Sequence, residues 1–372
     1  MTTRDLKQMY RTRTAGDFPE VIDLLGRRYE KVEDLRYGTN PHQPAAFYRP
    51  GGRGGLVLGA HQVLKTGKSG LSQTNIEDMH HAVGILKYLR RPACAVMKHC
   101  NPSGVAMQAG DMPLAAVYER ARDADAQAAF GGVVVFNAAV DNATAEAIMQ
   151  SVVEGVAAPD FEPDALETLQ DADRFKRNRE IRIIRLPDMS GLPKYTGDAS
   201  DVLEMKVFDD GSVVVAQPYL SRMKSPDDFV PAYAEHKTKG RIDIRRAPTA
   251  RELDDLLFAW YVNIHVRSNG VVIARNGQTL AVGTGEQDRV GAVEQAIHKA
   301  RTKYKGSESL AGAVMASDGF FPFRDAVDAA TSAGITAIAQ PGGSISDYEV
   351  IAACNEAGAA MVFSMERCFS HH

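Results

Sequence analysis

Between residues 74 and 90, apolar side chains recur at Ile76, Met79, Val83, Leu86 and Leu89. That spacing predicts an amphipathic helix with one buried face, stopped by Pro92. Residues 93–97 (ACAVM) form a short apolar run, the pattern of a buried strand in an α/β sheet. The run meets Lys98-His99 and then Asn101-Pro102-Ser103-Gly104. That composition predicts a turn at 101–104 through which the strand does not continue. The rhythm then repeats, with a helix over 114–125, a strand over 133–136, a helix over 144–153, an extended piece over 156–159 and a strand over 181–186. Gly131 and Gly132 stand just ahead of the 133–136 strand, where close approach to the backbone is expected. Alternation of helix and strand is the α/β pattern.

Residues 188–245 break the rhythm, mixing Pro, Gly, Asp and Lys with strand-like pieces such as 212–216. It restarts at Thr249-Ala250-Arg251-Glu252, a capping box heading a helix over 252–262. Residues 270–275 and 279–282 flank Asn276-Gly277, a hairpin signal. Helix 289–301, strand 311–316, helix 324–333, strand 335–339, helix 347–357 and strand 359–364 follow. The two halves share an order of elements without a repeat at the level of residues. The expected division is an N-terminal segment over 1–50, a first α/β unit over 51–200, a connecting region over 201–245 and a second α/β unit over 246–372.

Composition narrows the partners. The 372 residues are 44% hydrophobic and 24% charged, an ordinary globular balance, and the net charge is -4. No global basic field exists to draw nucleic acid or an anionic membrane, so charge that binds an anion must be local. Cys94, Cys100, Cys354 and Cys368 lack zinc spacing and read as reduced thiols of a cytoplasmic protein. The opening MTTRDLKQMYRTRT has no signal-peptide core, and no apolar run reaches the roughly 18 residues of a membrane span.

The candidate chemistry sits where predicted strands end. Lys98 and His99 close the 93–97 run, at the kind of strand end where open α/β sheets bind ligands. The loop RYGTNPHQ (36–43) is dense in hydrogen-bonding side chains. TGKSG (66–70) has Gln62 where a phosphate loop needs its first glycine. GTGEQDR (283–289) has Asp288 where a dinucleotide fingerprint needs glycine, leaving a helix start that suits an anion, with Arg289 beside it. Phe320, Phe321 and Phe323 can wall a flat ligand or pack in a core. PGGS (341–344) follows the next strand in the same way. Together these loops imply a pocket for an anion and a flat heterocycle.

In this order, RYGTNPHQ (36–43), KHCNPSG (98–104), AFGG (129–132), SNGVVIARNGQ (268–278), GTGEQDR (283–289), SDGFFPFRDAVD (317–328) and RCFSH (367–371) resemble the formyltransferase part of the bifunctional AICAR transformylase/IMP cyclohydrolase family. The resemblance covers about residues 33–371. It implies two cytidine-deaminase-like three-layer α/β/α subdomains, a duplication, without zinc. It implies formyl transfer from 10-formyltetrahydrofolate, as co-substrate, to the 5-amino group of AICAR, giving FAICAR and tetrahydrofolate in purine biosynthesis, by a homodimer with sites near its interface. His99 is then the general base, with Lys98 and Asn269 stabilising the intermediate. Arg36, Tyr37, Gly131, Glu154, Arg289, Phe320, Arg367 and His371 would hold AICAR, while Val290, Asp325, Ser344 and Ile345 would line the folate side. No metal is expected. Relatives often carry Lys where this chain has Ile264, which removes any charge contact there. The family's cyclohydrolase domain precedes RYGTNPHQ, whereas 35 residues do so here. The expectation is a transformylase alone, with ring closure by a separate IMP cyclohydrolase; His372 lies one residue beyond the family's terminal His. A non-catalytic nucleotide- or folate-binding relative, a formyltransferase with another one-carbon donor and a zinc deaminase of similar fold are the alternative readings.

Overall fold

A computed structural model describes residues 2–371; His372 lies outside the described residues. Its centre is a twelve-stranded mixed sheet, built from both halves of the chain. The first half contributes β1 (Gln62–Lys65), α1 (Gln73–Leu86), β2 (Ala93–Lys98), β3 (Asn101–Met107), α2 (Leu114–Asp123), β4 (Gly132–Phe136), α3 (Asn142–Met149), β5 (Val153–Ala158), α4 (Pro163–Gln170) and β6 (Arg182–Arg185). The second contributes β7 (Val230–Pro231), α5 (Ala250–Asn263), β8 (Val271–Arg275), β9 (Gln278–Gly283), α6 (Arg289–Thr302), β10 (Val314–Ser317), α7 (Asp325–Ser332), β11 (Ala337–Gln340), α8 (Asp347–Ala357) and β12 (Ala360–Phe363). The strand order is β7-β12-β11-β10-β8-β9-β3-β2-β4-β5-β6-β1.

Strand pairing follows one scheme in both halves. A hairpin (β2–β3, β8–β9) lies next to an antiparallel strand (β4, β10), two parallel strands follow, and an antiparallel edge strand closes the row. The halves meet where β3 and β9 run antiparallel, with Ala106 opposite Gln278. There the hydroxyl of Thr279 accepts from the Val105 N–H at 3.0 Å, extending the join.

Both faces of the sheet are covered, which is why its strands read as apolar runs rather than alternations. Ala93, Ala95 and Met97 face a core shared with α1 and α5, whereas Cys94 and Val96 face one built with α2, α3 and α4. Helices α6, α7 and α8 cover the corresponding face of the second half. Among the described residues, no helix is long and apolar enough to cross a membrane.

The predicted turn at 101–104 is instead the beginning of β3. The chain reverses at His99 and Cys100, both at positive φ (53° and 65°), as a two-residue hairpin turn requires. Pro102 is tolerated because it sits at a register shift opposite Met97, where a ladder bond is not needed. Gly104 brings β3 against α2: a Cβ there would meet the Ala121 carbonyl oxygen at 2.0 Å. The two regions outside the helix–strand rhythm also carry structure, and the strand-like piece at 212–216 is one of their strands. Val21–Leu24, Arg27–Asp34 and Ala46–Pro50 form a three-stranded antiparallel sheet. Hairpins Glu204–Val207/Val213–Ala216 and Tyr233–His236/Gly240–Asp243 occupy the connecting region.

Candidate active site

The candidate residues gather along one rim of the sheet, where β2 ends, β3–β6 begin and β9–β12 end. Lys98 and His99 stand at the carboxyl end of their own strand. Since β2 runs antiparallel to β4, they lie at the amino ends of the parallel strands β4–β6, the reverse of the usual α/β arrangement. In the second half, the same rim carries the carboxyl ends of β10–β12.

In the first half the rim is cationic. Lys98 Nζ donates to the Gly131 carbonyl at 2.6 Å, and Gly131 adopts φ 67° as the chain bends into β4. Arg36 is buried to 1% exposure; its guanidinium donates to the Tyr37 hydroxyl (3.0 Å) and lies 3.9 Å from Glu154. Arg182, fully buried in β6, lies 3.5 Å from the same carboxylate and donates to the Gly70 carbonyl. Burial works to raise the Glu154 pKa, but Arg182, Arg36, Lys68 and Lys98 outweigh it and hold the carboxyl below its usual value. Arg36 Nε and Arg182 Nη2 are buried without a hydrogen-bond partner. Four cations around one carboxylate, with spare donors, suit an anionic ligand.

His99 itself is exposed, and its turn is held from two sides. Below it, the buried Asp78 of α1 accepts from the Cys100 N–H at 2.7 Å. Beside it, Asn101 donates to the His99 carbonyl at 3.2 Å and accepts from the Arg267 N–H at 2.9 Å. The Thr284 hydroxyl donates to the same Asn101 oxygen at 2.8 Å.

In the second half, a cavity of about 1590 Å³ opens on the rim, lined by Asn269, Arg289, Phe320, Ser344, Ile345 and Arg367. Asn269 donates one amide proton to the Glu286 carbonyl at 2.9 Å, which leaves the other available. Arg289 is buried against Asp318, whose other oxygen accepts from the Gly270 N–H. The start of α6 is not a vacant anion site: Asp288 caps it by accepting from the Gly291 N–H at 2.7 Å. Phe320 and Phe323 are exposed and Phe320 lines the cavity, but Phe321 belongs to the core. Ser344 lies on a loop wrapped around Asp347, which accepts from the Gly343 and Ser344 N–H groups, and Ile345 is fully exposed. Arg367 stacks over Phe369 at 4.8 Å.

Three expected residues lie off this wall. Val290 packs against the core under α6, and Asp325 is exposed in the first turn of α7. His371 lines a second cavity of about 800 Å³, with His80, His81, Ile264 and His265. Sequence reasoning missed Arg182, Lys68, Asp78, Asp318 and Asp347. An arginine inside the apolar run IRIIR is the one signal that pointed to a buried charge; the others become recognisable only through partners distant in the chain.

The chain belongs to the AICARFT/IMPCHase bienzyme family, whose model matches residues 5–299. It is 40% identical over 360 residues to the bifunctional purine biosynthesis protein PurH of Magnetococcus marinus, covering 96% of this chain and 62% of that protein. It is 41% identical over 357 residues to the PurH of Acetivibrio thermocellus, covering 95% and 62%. With the PurH of Acidithiobacillus ferrooxidans, identity is 41% over 354 residues, covering 95% and 61%. The chain thus spans about three fifths of the length of these relatives.

Proposed function

We propose that this chain transfers a formyl group from 10-formyltetrahydrofolate to the 5-amino group of AICAR, giving FAICAR and tetrahydrofolate. The observation that carries this reading is the joining of the His99 turn to the Asn269 loop through Asn101, on one rim that has a cationic half and an aromatic-walled half. Family membership supports it.

The acceptor is an aromatic amine conjugated with a carboxamide, a weak nucleophile that must lose a proton as it attacks the formyl carbon. His99 takes that proton, imidazole being the side chain most often used as a general base in such transfers. Lys98 and the free amide proton of Asn269 stabilise the oxyanion as the carbonyl becomes tetrahedral. Collapse returns the carbonyl and breaks the bond from the formyl carbon to folate N10, which takes up the proton held on His99 and leaves as tetrahydrofolate. Arg36, Tyr37, Glu154 and the neighbouring cations hold the nucleotide, Phe320 walls its ring, and Ser344 and Ile345 border the folate. Keeping two large ligands in register contributes on the order of 7–11 kcal/mol at best. A homodimer of two deaminase-like subdomain pairs, a cytoplasmic setting and a cyclohydrolase acting on FAICAR downstream belong to the same proposal.

The test supplies purified chain with AICAR and either 10-formyltetrahydrofolate or formate plus ATP. Product from the folate alone supports the reading. Product only with formate and ATP, or from neither, overturns it.

A further inference from the structure

The turn that carries His99 belongs to the first half and the loop that carries Asn269 to the second. Asn101 bridges them. Its orientation is fixed by chemistry: the Arg267 backbone N–H can only donate, so the Asn101 oxygen must face it, and the Asn101 amide then points at the His99 carbonyl. The Thr284 hydroxyl donates to the same oxygen, with the Arg267 carbonyl 3.1 Å away as its alternative acceptor. The segment reached in this way is tied again on its far side, where the Ser268 N–H donates to the Ser370 carbonyl at 3.0 Å. Asn269 is the next residue.

We infer that Asn101 is a positioning residue that sets the His99 turn against the 267–269 segment, so that base and amide act on one reaction centre. This rests on the formyl-transfer reading. A group at a turn of two non-glycine residues with positive φ is held only if its surroundings over-determine it. Asp78 and the Lys98–Gly131 bond fix the turn within the first half. Asn101 is the side chain that fixes it to the second. A displacement of about 1 Å between reacting groups costs up to about 10²-fold in rate, so losing the bridge must appear in turnover more than in binding.

The experiment uses the full chain. Asn101→Ala should lower kcat by roughly 10–100-fold, with the KM of each substrate changed by no more than about twofold. Asn101→Asp keeps the oxygen that accepts from Arg267 and Thr284 but loses the donor to the His99 carbonyl, and should recover only part of the loss. Thr284→Val should cost a few-fold, and the double variant Asn101→Ala/Thr284→Val should be no slower than Asn101→Ala alone, because the two groups act as a unit. Unchanged kcat, a loss expressed in KM, or additive losses would overturn the inference. Amide hydrogen exchange separates this from failure of the functional reading. In Asn101→Ala, exchange should quicken both at 99–101 and at 267–269, whether or not the wild type forms product. Quickening confined to 99–101 overturns the bridge.

Discussion

Asp78 lies outside the expected site and holds the turn that carries His99 through the Cys100 N–H. Burial raises its pKa to about 7, against the Cys100 N–H and Lys98, which lower it. A carboxyl with a folded pKa above its unfolded value, near ~3.9, binds more protons folded than unfolded. Its contribution to stability is therefore present at low pH and falls as pH rises from about 4 to about 7. Asp78→Asn removes that slope and should gain stability relative to wild type between about pH 5 and about pH 8, as read by urea unfolding at both. Parallel behaviour of the two proteins would remove Asp78 as a buried titrating group. Residue types and motifs singled out Lys98, His99, Asn269, Arg289 and Phe320 in the sequence, and all five stand on the rim. Their partners were not legible, because Asp78, Asp318 and Arg182 are recruited by tertiary contacts that leave no local pattern.

At the level of elements, two hairpin turns with the same backbone requirement were unequally visible. Asn276-Gly277 announces positive φ by its residue types. His99-Cys100 does not, and Asn101-Pro102-Ser103-Gly104 imitates the turn that lies just ahead of it. The capping box Thr249–Glu252 was legible, and both of its reciprocal bonds form. Its reinforcement was not: Glu252 also accepts from Arg246 and from the Thr336 hydroxyl, 84 residues away. Burial acts to raise the Glu252 pKa, but these hydrogen bonds and the Thr249 N–H prevail and bring it to about 2. A depressed carboxyl stabilises the fold above its unfolded pKa, and that stabilisation is lost as pH falls toward about 2. Glu252→Gln should cost about 1–3 kcal/mol near neutrality, with the gap to wild type closing below about pH 4, in denaturant titrations. A gap independent of pH would mean that shape, not charge, holds the start of α5.

For the whole molecule, the parallel order of elements in the two halves was readable from rhythm, whereas the continuous sheet was not. Its join depends on β3 meeting β9, and neither strand signals its partner. The join is polar at a buried point: Thr279 accepts from the Val105 N–H and donates to the Val105 carbonyl, at 3.0 and 3.3 Å. Thr279→Val leaves both groups unpaired and should lower global stability by about 1–3 kcal/mol, with the halves still unfolding in one transition by circular dichroism. Two separated transitions would mean that they fold as independent units.

In the proposed reaction His99, at the reversal of one hairpin, moves the proton for formyl transfer. Single-turnover formation of FAICAR from AICAR and 10-formyltetrahydrofolate, comparing wild type with His99→Ala, tests it most directly. The expected result is a fall of roughly 10²–10⁴-fold in the chemical step with AICAR affinity nearly unchanged. A near-normal rate in the variant would contradict it.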